Sequence, residues 1–203
     1  MLDRIVASVN GHVILQSDWT LALCYQAFLQ DRRISDFSPV ERKAALDHLI
    51  DRELIRQQMS STDLGVISAE EVKNKVEQIQ REKVGDAPQA IWLARLAQSQ
   101  LTEADLEAKV RDAMQEMRAV EARLRPGIQV DEQAVQVYYN QSFLPQLRQT
   151  GGREVPLEAV AHQIKELLVQ QRLNEFLVSW LRSLRNDSRI HTPFDSESSG
   201  GGS

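Results

Sequence analysis

Two short apolar runs fill the first fifteen residues, and the pattern then changes to the three-and-four spacing of helices. Ile5-Val6-Ala7-Ser8-Val9 and His12-Val13-Ile14-Leu15 flank Asn10-Gly11. Asn-Gly between two apolar runs predicts a two-residue hairpin, because a type I′ turn needs positive φ at both central positions. A lone hairpin is marginal in water. Ser188-Arg189-Ile190-His191-Thr192 is the candidate third strand, pairing with residues 4–15 and turning Ile190 toward the core. Both ends of the chain would then meet in one small sheet.

Between those ends the pattern is helical. Ser17-Asp18 predicts a cap for a helix over about 18–30, with Trp19, Leu23, Ala27 and Phe28 on its buried face. Ser38-Pro39-Val40-Glu41 is a capping box with proline at the first helical position; Leu46, Leu49, Ile50 and Leu54 follow as a stripe, and Gly65 is the expected stop. Ser68-Ala69-Glu70-Glu71 repeats the box ahead of Val72, Val76 and Ile79, and Gly85-Asp86-Ala87-Pro88 breaks the pattern. Ile91, Trp92 and Leu96 predict a short helix. Thr102 caps the next, whose seam is Leu106, Val110, Ala113, Met117, Val120 and Leu124, ending at Pro126-Gly127. That narrow seam suits packing along another helix.

Ile128-Gln129-Val130 reads as an extended link, and Asp131 caps a helix bearing Val135, Tyr138 and Tyr139. Pro145, Gly151, Gly152 and Pro156 mark a loop over residues 145–156. A last helix over about 157–185, roughly 40 Å long, carries Val160, Ile164, Leu167, Leu168, Leu177, Trp180, Leu181 and Leu184. The expected fold is mainly α, with a small antiparallel sheet made by the N-terminal hairpin and a C-terminal strand. No internal repeat is evident.

Composition narrows the function classes. Of 203 residues, 42% are hydrophobic but only 5% aromatic, which suits helices packed through Leu, Ile, Val and Ala. The net charge is -5 with no dense basic cluster, which argues against nucleic acid as a partner. No apolar run reaches the ~20 residues of a membrane span. Met1-Leu2 leads straight into a strand, so no signal peptide is expected within this sequence. One cysteine, Cys24, rules out an internal disulfide. Residues 195–203 have a disordered, linker-like composition.

Candidate chemistry is sparse. His12, His48, His162 and His191 have neither a cysteine nor a second histidine at metal-ligand spacing, so no metal or other cofactor is expected. Cys24 has no adjacent base and reads as a small buried side chain. Glu70-Glu71 and Asp131-Glu132 complement helix dipoles. Gly151-Gly152 lacks the preceding strand and spacing of a phosphate loop. Of the methionines, Met117 reads as core, while Met59 and Met114 suit either core or a binding surface.

The order of elements resembles a known family. The opening Asp3-Arg4-Ile5-Val6-Ala7 hairpin and its helix, Leu46-Asp47-His48-Leu49-Ile50-Asp51-Arg52-Glu53-Leu54-Ile55, Ser68-Ala69-Glu70-Glu71-Val72, Leu101-Thr102-Glu103-Ala104-Asp105-Leu106 and Arg125-Pro126-Gly127-Ile128-Gln129-Val130-Asp131 come in sequence, and Trp180-Leu181-Arg182-Ser183-Leu184-Arg185 precedes the final strand. This is similar to the N-terminal chaperone domain of the SurA family of periplasmic proteins, related to PpiD and PrsA-like foldases, with a helical body resembling that of trigger factor. The resemblance implies one chaperone domain over residues 1–193. Within it, residues 1–130 form an N-terminal portion and residues 131–193 supply the C-terminal helices and strand; a disordered tail follows over 194–203.

Members of that family usually carry parvulin-type prolyl isomerase domains ahead of the last helix. Only Gln141–Val155 intervenes here, too little for one, so no isomerase activity is implied. The resemblance implies an ATP-independent holdase, exported or periplasmic, whose partners are unfolded or extended polypeptides. Trp92, Tyr138, Tyr139 and Phe143 are the candidate client-binding residues, being large side chains near chain breaks. The alternative is an assembly protein forming a stable homodimer, with the terminal elements open to exchange between protomers. An enzyme with a site built from scattered residues is a further alternative.

Overall fold

The computed structural model describes residues 3–59 and 66–192. The expected stop at Gly65 and the tail 194–203 therefore lie outside the described residues. Asn10 and Gly11 take φ of 52° and 90°, the turn their pairing predicts. They join β1 (Ile5–Val9) to β2 (His12–Leu15). A bulge between Ile5 and Ala7 breaks the alternation, and Val6 and Ala7 are both buried. β3 (Ile190–His191) pairs antiparallel with β1, Val9 opposite Ile190, so the sheet order is β2-β1-β3.

The third strand is shorter than the expected pentad, and Ile190 is only half-buried. Side-chain hydrogen bonds hold this end as much as burial does. The Asn10 amide donates to Gln57 Oε1 at 2.8 Å and Ser188 Oγ at 3.1 Å, and its Oδ1 accepts from the Arg189 N–H at 2.9 Å. Gln57 in turn donates to the Val9 carbonyl at 3.1 Å and to Glu53 at 2.6 Å. Glu53 is buried and takes two hydrogen bonds from Arg56, each 2.7 Å.

Local sequence sets most helix starts. β2 runs directly into α1 (Gln16–Leu29), two residues earlier than Ser17-Asp18 suggested. Asp18 acts from the third helical position, accepting from the Leu15 N–H at 2.9 Å, while the Ser17 hydroxyl bonds the Asp3 carboxylate. α2 (Pro39–Gln58) and α3 (Ala69–Val84) begin with the Ser38–Glu41 and Ser68–Glu71 boxes. Gly85, with φ of 60°, ends α3. α4 (Gln89–Gln98) precedes α5 (Glu103–Leu124), where Thr102 and Asp105 bond reciprocally at 2.9 and 3.1 Å.

Contacts divide the described residues into two units. Those up to Ala119 and from Ser183 onward form the first, and Val120–Arg182 the second. In the first, Phe28 of α1, Val72 and Ile79 of α3, Trp92 and Leu96 of α4, and Leu106 and Val110 of α5 share one core. Asp31, at the end of α1, binds Lys83 at 2.8 Å and also Arg95, tying α1 to α3 and α4. Leu46, Ile50 and Leu54 of α2 are buried as their stripe predicts, whereas Leu49 of the same stripe is only half-buried.

Met117 departs from the expected seam, being 64% exposed, while Ala119 and Val120 are buried. Burial on α5 follows the i+4 row of Leu106, Val110 and the half-buried Met114, which drifts around the helix away from a straight seam.

In the second unit, α6 (Glu132–Tyr138), capped by Asp131, passes through a π turn (Tyr139–Phe143) into α7 (Leu144–Gln149). The loop expected from Pro145 onward thus begins only after α7. Pro145 sits in the first turn of α7, where its missing N–H is tolerated. Val130, Val135, Val160 and Ile164 form the core here, the last two from α8 (Leu157–Asn186). Leu167, placed on the apolar face by its spacing, is exposed, and Leu173 is buried instead.

Two tests follow from these contacts. Truncation after Asn186 removes Ser188, Arg189 and Ile190, and should destabilise by about 1–3 kcal/mol, a few hydrogen bonds plus a half-buried side chain. Asn10→Ala should cost about 1–2 kcal/mol through the turn and the same bonds. Because the two lesions share partners, urea melts of the double variant should show a loss clearly smaller than the sum; strict additivity would mean that Asn10 does not hold the C-terminal segment.

The second test concerns acid. Glu41 is held at about 2 by Arg32 and by the Ser38 N–H and hydroxyl. Glu71 is held at about 2 by the Ser68 N–H, Arg118 and the Ser68 hydroxyl. A carboxyl depressed in the fold contributes stability above its unfolded value, and that contribution is lost as pH falls from about 4.5 to about 2. Carboxyl NMR titration should find both midpoints near the lower figure, and melts of Glu41→Gln and Glu71→Gln should lose stability less steeply over that range.

Candidate functional site

Helical spacing builds a cleft inside the first unit. Ala22, Tyr25, Gln26 and Leu29 recur on one face of α1 at steps of three and four. Ala44, Ala45, His48, Leu49 and Arg52 do the same on α2, as do Lys109, Ala113 and Glu116 on α5. Together they enclose an open groove of about 310 Å³. The alanines leave the space that larger side chains would fill, and Tyr25, Leu29 and Leu49 supply its apolar walls.

Two further depressions adjoin it. One of about 250 Å³ runs past Lys109 and Arg52 toward His12, Val13 and Ile14 of β2. A smaller one, of about 70 Å³, lies among Arg52, Ile55, Asp112 and Ala119. Arg52 lines all three, and its guanidinium pairs with Asp112 at 2.5 Å, bridging α2 and α5.

The charges along the rim are mutually engaged. His48 Nε2 lies 4.0 Å from Glu116 Oε2. Burial pushes the Glu116 carboxyl up, against the opposing pull of His48 and Arg52. Behind α2, Arg185 binds Asp51 at 2.6 Å and the Asp47 carbonyl at 2.9 Å, bracing the helix that carries His48 and Arg52. His12 Nε2 lies 3.6 Å from buried Glu53. Burial works to raise that carboxyl, but Arg56 and Gln57 outweigh it and hold it below the ordinary range.

Burial pushes the neighbouring Tyr25 hydroxyl and Cys24 thiol up, which keeps both protonated near neutral pH. Among the described residues no three His, Cys, Asp or Glu side chains converge on a metal position. No helix among the described residues is long and apolar enough to cross a membrane.

The four aromatic candidates fall elsewhere. Trp92 is wholly buried, edge-on to Phe28 with ring centres 5.8 Å apart, and donates to Glu103 at 3.0 Å. Tyr138, Tyr139 and Phe143 are half-buried against the core of the second unit, Tyr139 stacking on Phe143 and donating to the Val155 carbonyl at 2.8 Å. The structure therefore brings three of the four together and leaves Trp92 apart. The cleft residues escaped sequence reading because alanines and charges at helical spacing look like a solvated helix face. The one available signal was Ala113, a small residue in an otherwise larger apolar seam.

Comparison with known proteins bears on this geometry. Residues 2–120, which include every residue of the cleft, match the model of the SurA-like N-terminal domain. No match was found among curated proteins. Among solved structures, one is similar with a TM-score of 0.53 at 10% identity, covering 93% of this chain and 98% of the other. It comes from work on the virulence factor PEB4 and the periplasmic protein Cj1289, two SurA-like chaperones of Campylobacter jejuni. That likeness is one of fold. The family match spans more than half of the chain, and by it the protein belongs to the SurA-like N-terminal domain family.

Proposed function

We propose that this protein is an ATP-independent chaperone that holds extended, unfolded polypeptide in the cleft between α1, α2 and α5. The observation that carries the reading is an open, alanine-floored groove lying wholly within the residues shared with the SurA-like domain. Apolar contact in such a groove is non-directional, so it tolerates many sequences. The paired charges around it keep the occupied surface soluble. The likeness to a neighbour described as a SurA-like chaperone supports the same role, and the family's periplasmic members support an exported location. The half-buried Tyr138, Tyr139 and Phe143 form a proposed second contact; Trp92 would have to leave its core to touch a client.

Ala44 and Ala113 are exposed on the groove. Ala44→Trp and Ala113→Trp should fill it while leaving stability within about 0.5 kcal/mol of the parent, as for other surface changes. Light scattering of a diluted, chemically unfolded client, without nucleotide, should show suppression by the parent and a several-fold weaker effect from either variant. Full suppression by both would move the client site elsewhere.

Residues 141–155 form the end of the π turn, α7 and a short loop, and we propose that the protein has no prolyl isomerase activity. Cis–trans exchange of a prolyl test peptide should therefore keep its uncatalysed time of tens of seconds or more. A rate rising in proportion to added protein would overturn that expectation.

A further inference from the structure

Lys109 stands at the middle of the cleft, lining both the alanine-floored groove and the depression that runs toward β2. It is half-buried, yet among the described residues its ammonium has no carboxylate within 4.0 Å and no hydrogen-bond partner. The surrounding carboxylates are committed elsewhere. Asp112 pairs with Arg52 at 2.5 Å. Asp105 accepts from the Thr102 N–H at 2.9 Å, and Asp18 from the Leu15 N–H at 2.9 Å. Glu116 faces His48. Burial, with Arg52 close by, pushes the Lys109 ammonium below the ordinary lysine range, against the opposing pull of Asp112, Asp18 and Asp105, none of which touches it.

A partly desolvated cation with no carboxylate in contact gains when an anion reaches it. The space beside it is apolar, and about 310 Å³ is at the lower end of the range for ligand pockets. Lys109 is shared by the groove and by the second depression, which Asp18, Glu53 and Asp112 also line. A chain end would leave one of the two empty, whereas a passing segment fills both.

Building on the cleft as the client site, we infer that it favours extended segments carrying an internal Asp or Glu beside a large apolar residue, the carboxylate seated on Lys109 Nζ and the apolar side chain in the alanine-floored groove. Side chains two positions apart on an extended segment share one face and so supply this pair without a fixed sequence. The anion adds selectivity to an otherwise permissive apolar site.

Fluorescence anisotropy with three labelled peptides tests this. Two are capped at both ends, rich in Leu and Phe, and differ only in a central Glu or Gln. The third has the central Gln and a free C-terminal carboxylate. The Glu peptide should bind the parent about five- to tenfold tighter than its Gln twin, with the gap narrowing at high salt. Lys109→Met should abolish the gap and Lys109→Arg should keep it. Circular dichroism melts should place Lys109→Met at or above the parent, because an unpaired ammonium has been removed. Equal binding of the Glu and Gln peptides overturns the inference and leaves the cleft intact as the client site. A free-carboxylate peptide that matches the Glu peptide overturns it in favour of a chain end. If no peptide binds, or if Ala113→Trp leaves all affinities unchanged, the cleft reading fails and this inference falls with it.

Discussion

The first unit depends on the return of residues 183–192 to the helix and strand that precede the cleft. Arg185 reaches Asp51 and the Asp47 carbonyl, and Ser188 and Arg189 reach Asn10. These contacts join positions more than a hundred residues apart, so closing them costs chain entropy that local helices do not incur. Charge-assisted bonds are suited to this task because they are directional and strong for their size. Asn10 supplies both the left-handed backbone of the hairpin turn and the side-chain clamp, so one residue sets hairpin geometry and chain closure together.

That closure fixes α2, and α2 fixes the cleft. One face of the helix is buried through Leu46, Ile50 and Leu54, and its flank accepts Arg185 on Asp47 and Asp51. The remaining face offers Ala44, His48, Leu49 and Arg52 to the groove. The Arg52–Asp112 bridge then ties α2 to α5 across the cleft while leaving apolar volume beside it open. Small residues at Ala22, Ala45 and Ala113 forgo packing that larger side chains would have gained. Such a void is unfavourable in a core and useful in a binding surface, which needs room before its occupant arrives.

The polar groups divide by how much water they lose. Glu53 is buried and fully engaged by Arg56 and Gln57, as a carboxylate in that position must be. Glu41 and Glu71 are solvated members of capping boxes, each also held by an arginine from elsewhere in the first unit. Lys109 differs from these in being half-buried with, among the described residues, no carboxylate in contact and no hydrogen bond.

Much of this was legible along the chain. The Asn10-Gly11 turn, the Ser38–Glu41, Ser68–Glu71 and Thr102–Asp105 boxes and the Asp131 cap are local devices whose physics spans three or four residues, so they can be read without knowing any neighbour. The apolar stripes told which face of α2 and α3 is buried for the same reason. The sequence could not show that Met117 faces water, because the angle at which a partner crosses α5 decides which row is covered. Nor could it show that Pro145 sits in the first turn of a helix, because a proline is equally at home there and in a loop. The cleft was hidden most completely. Its alanines and charges come from three helices and acquire meaning only when tertiary packing sets those faces opposite one another, leaving apolar space between them beside Lys109.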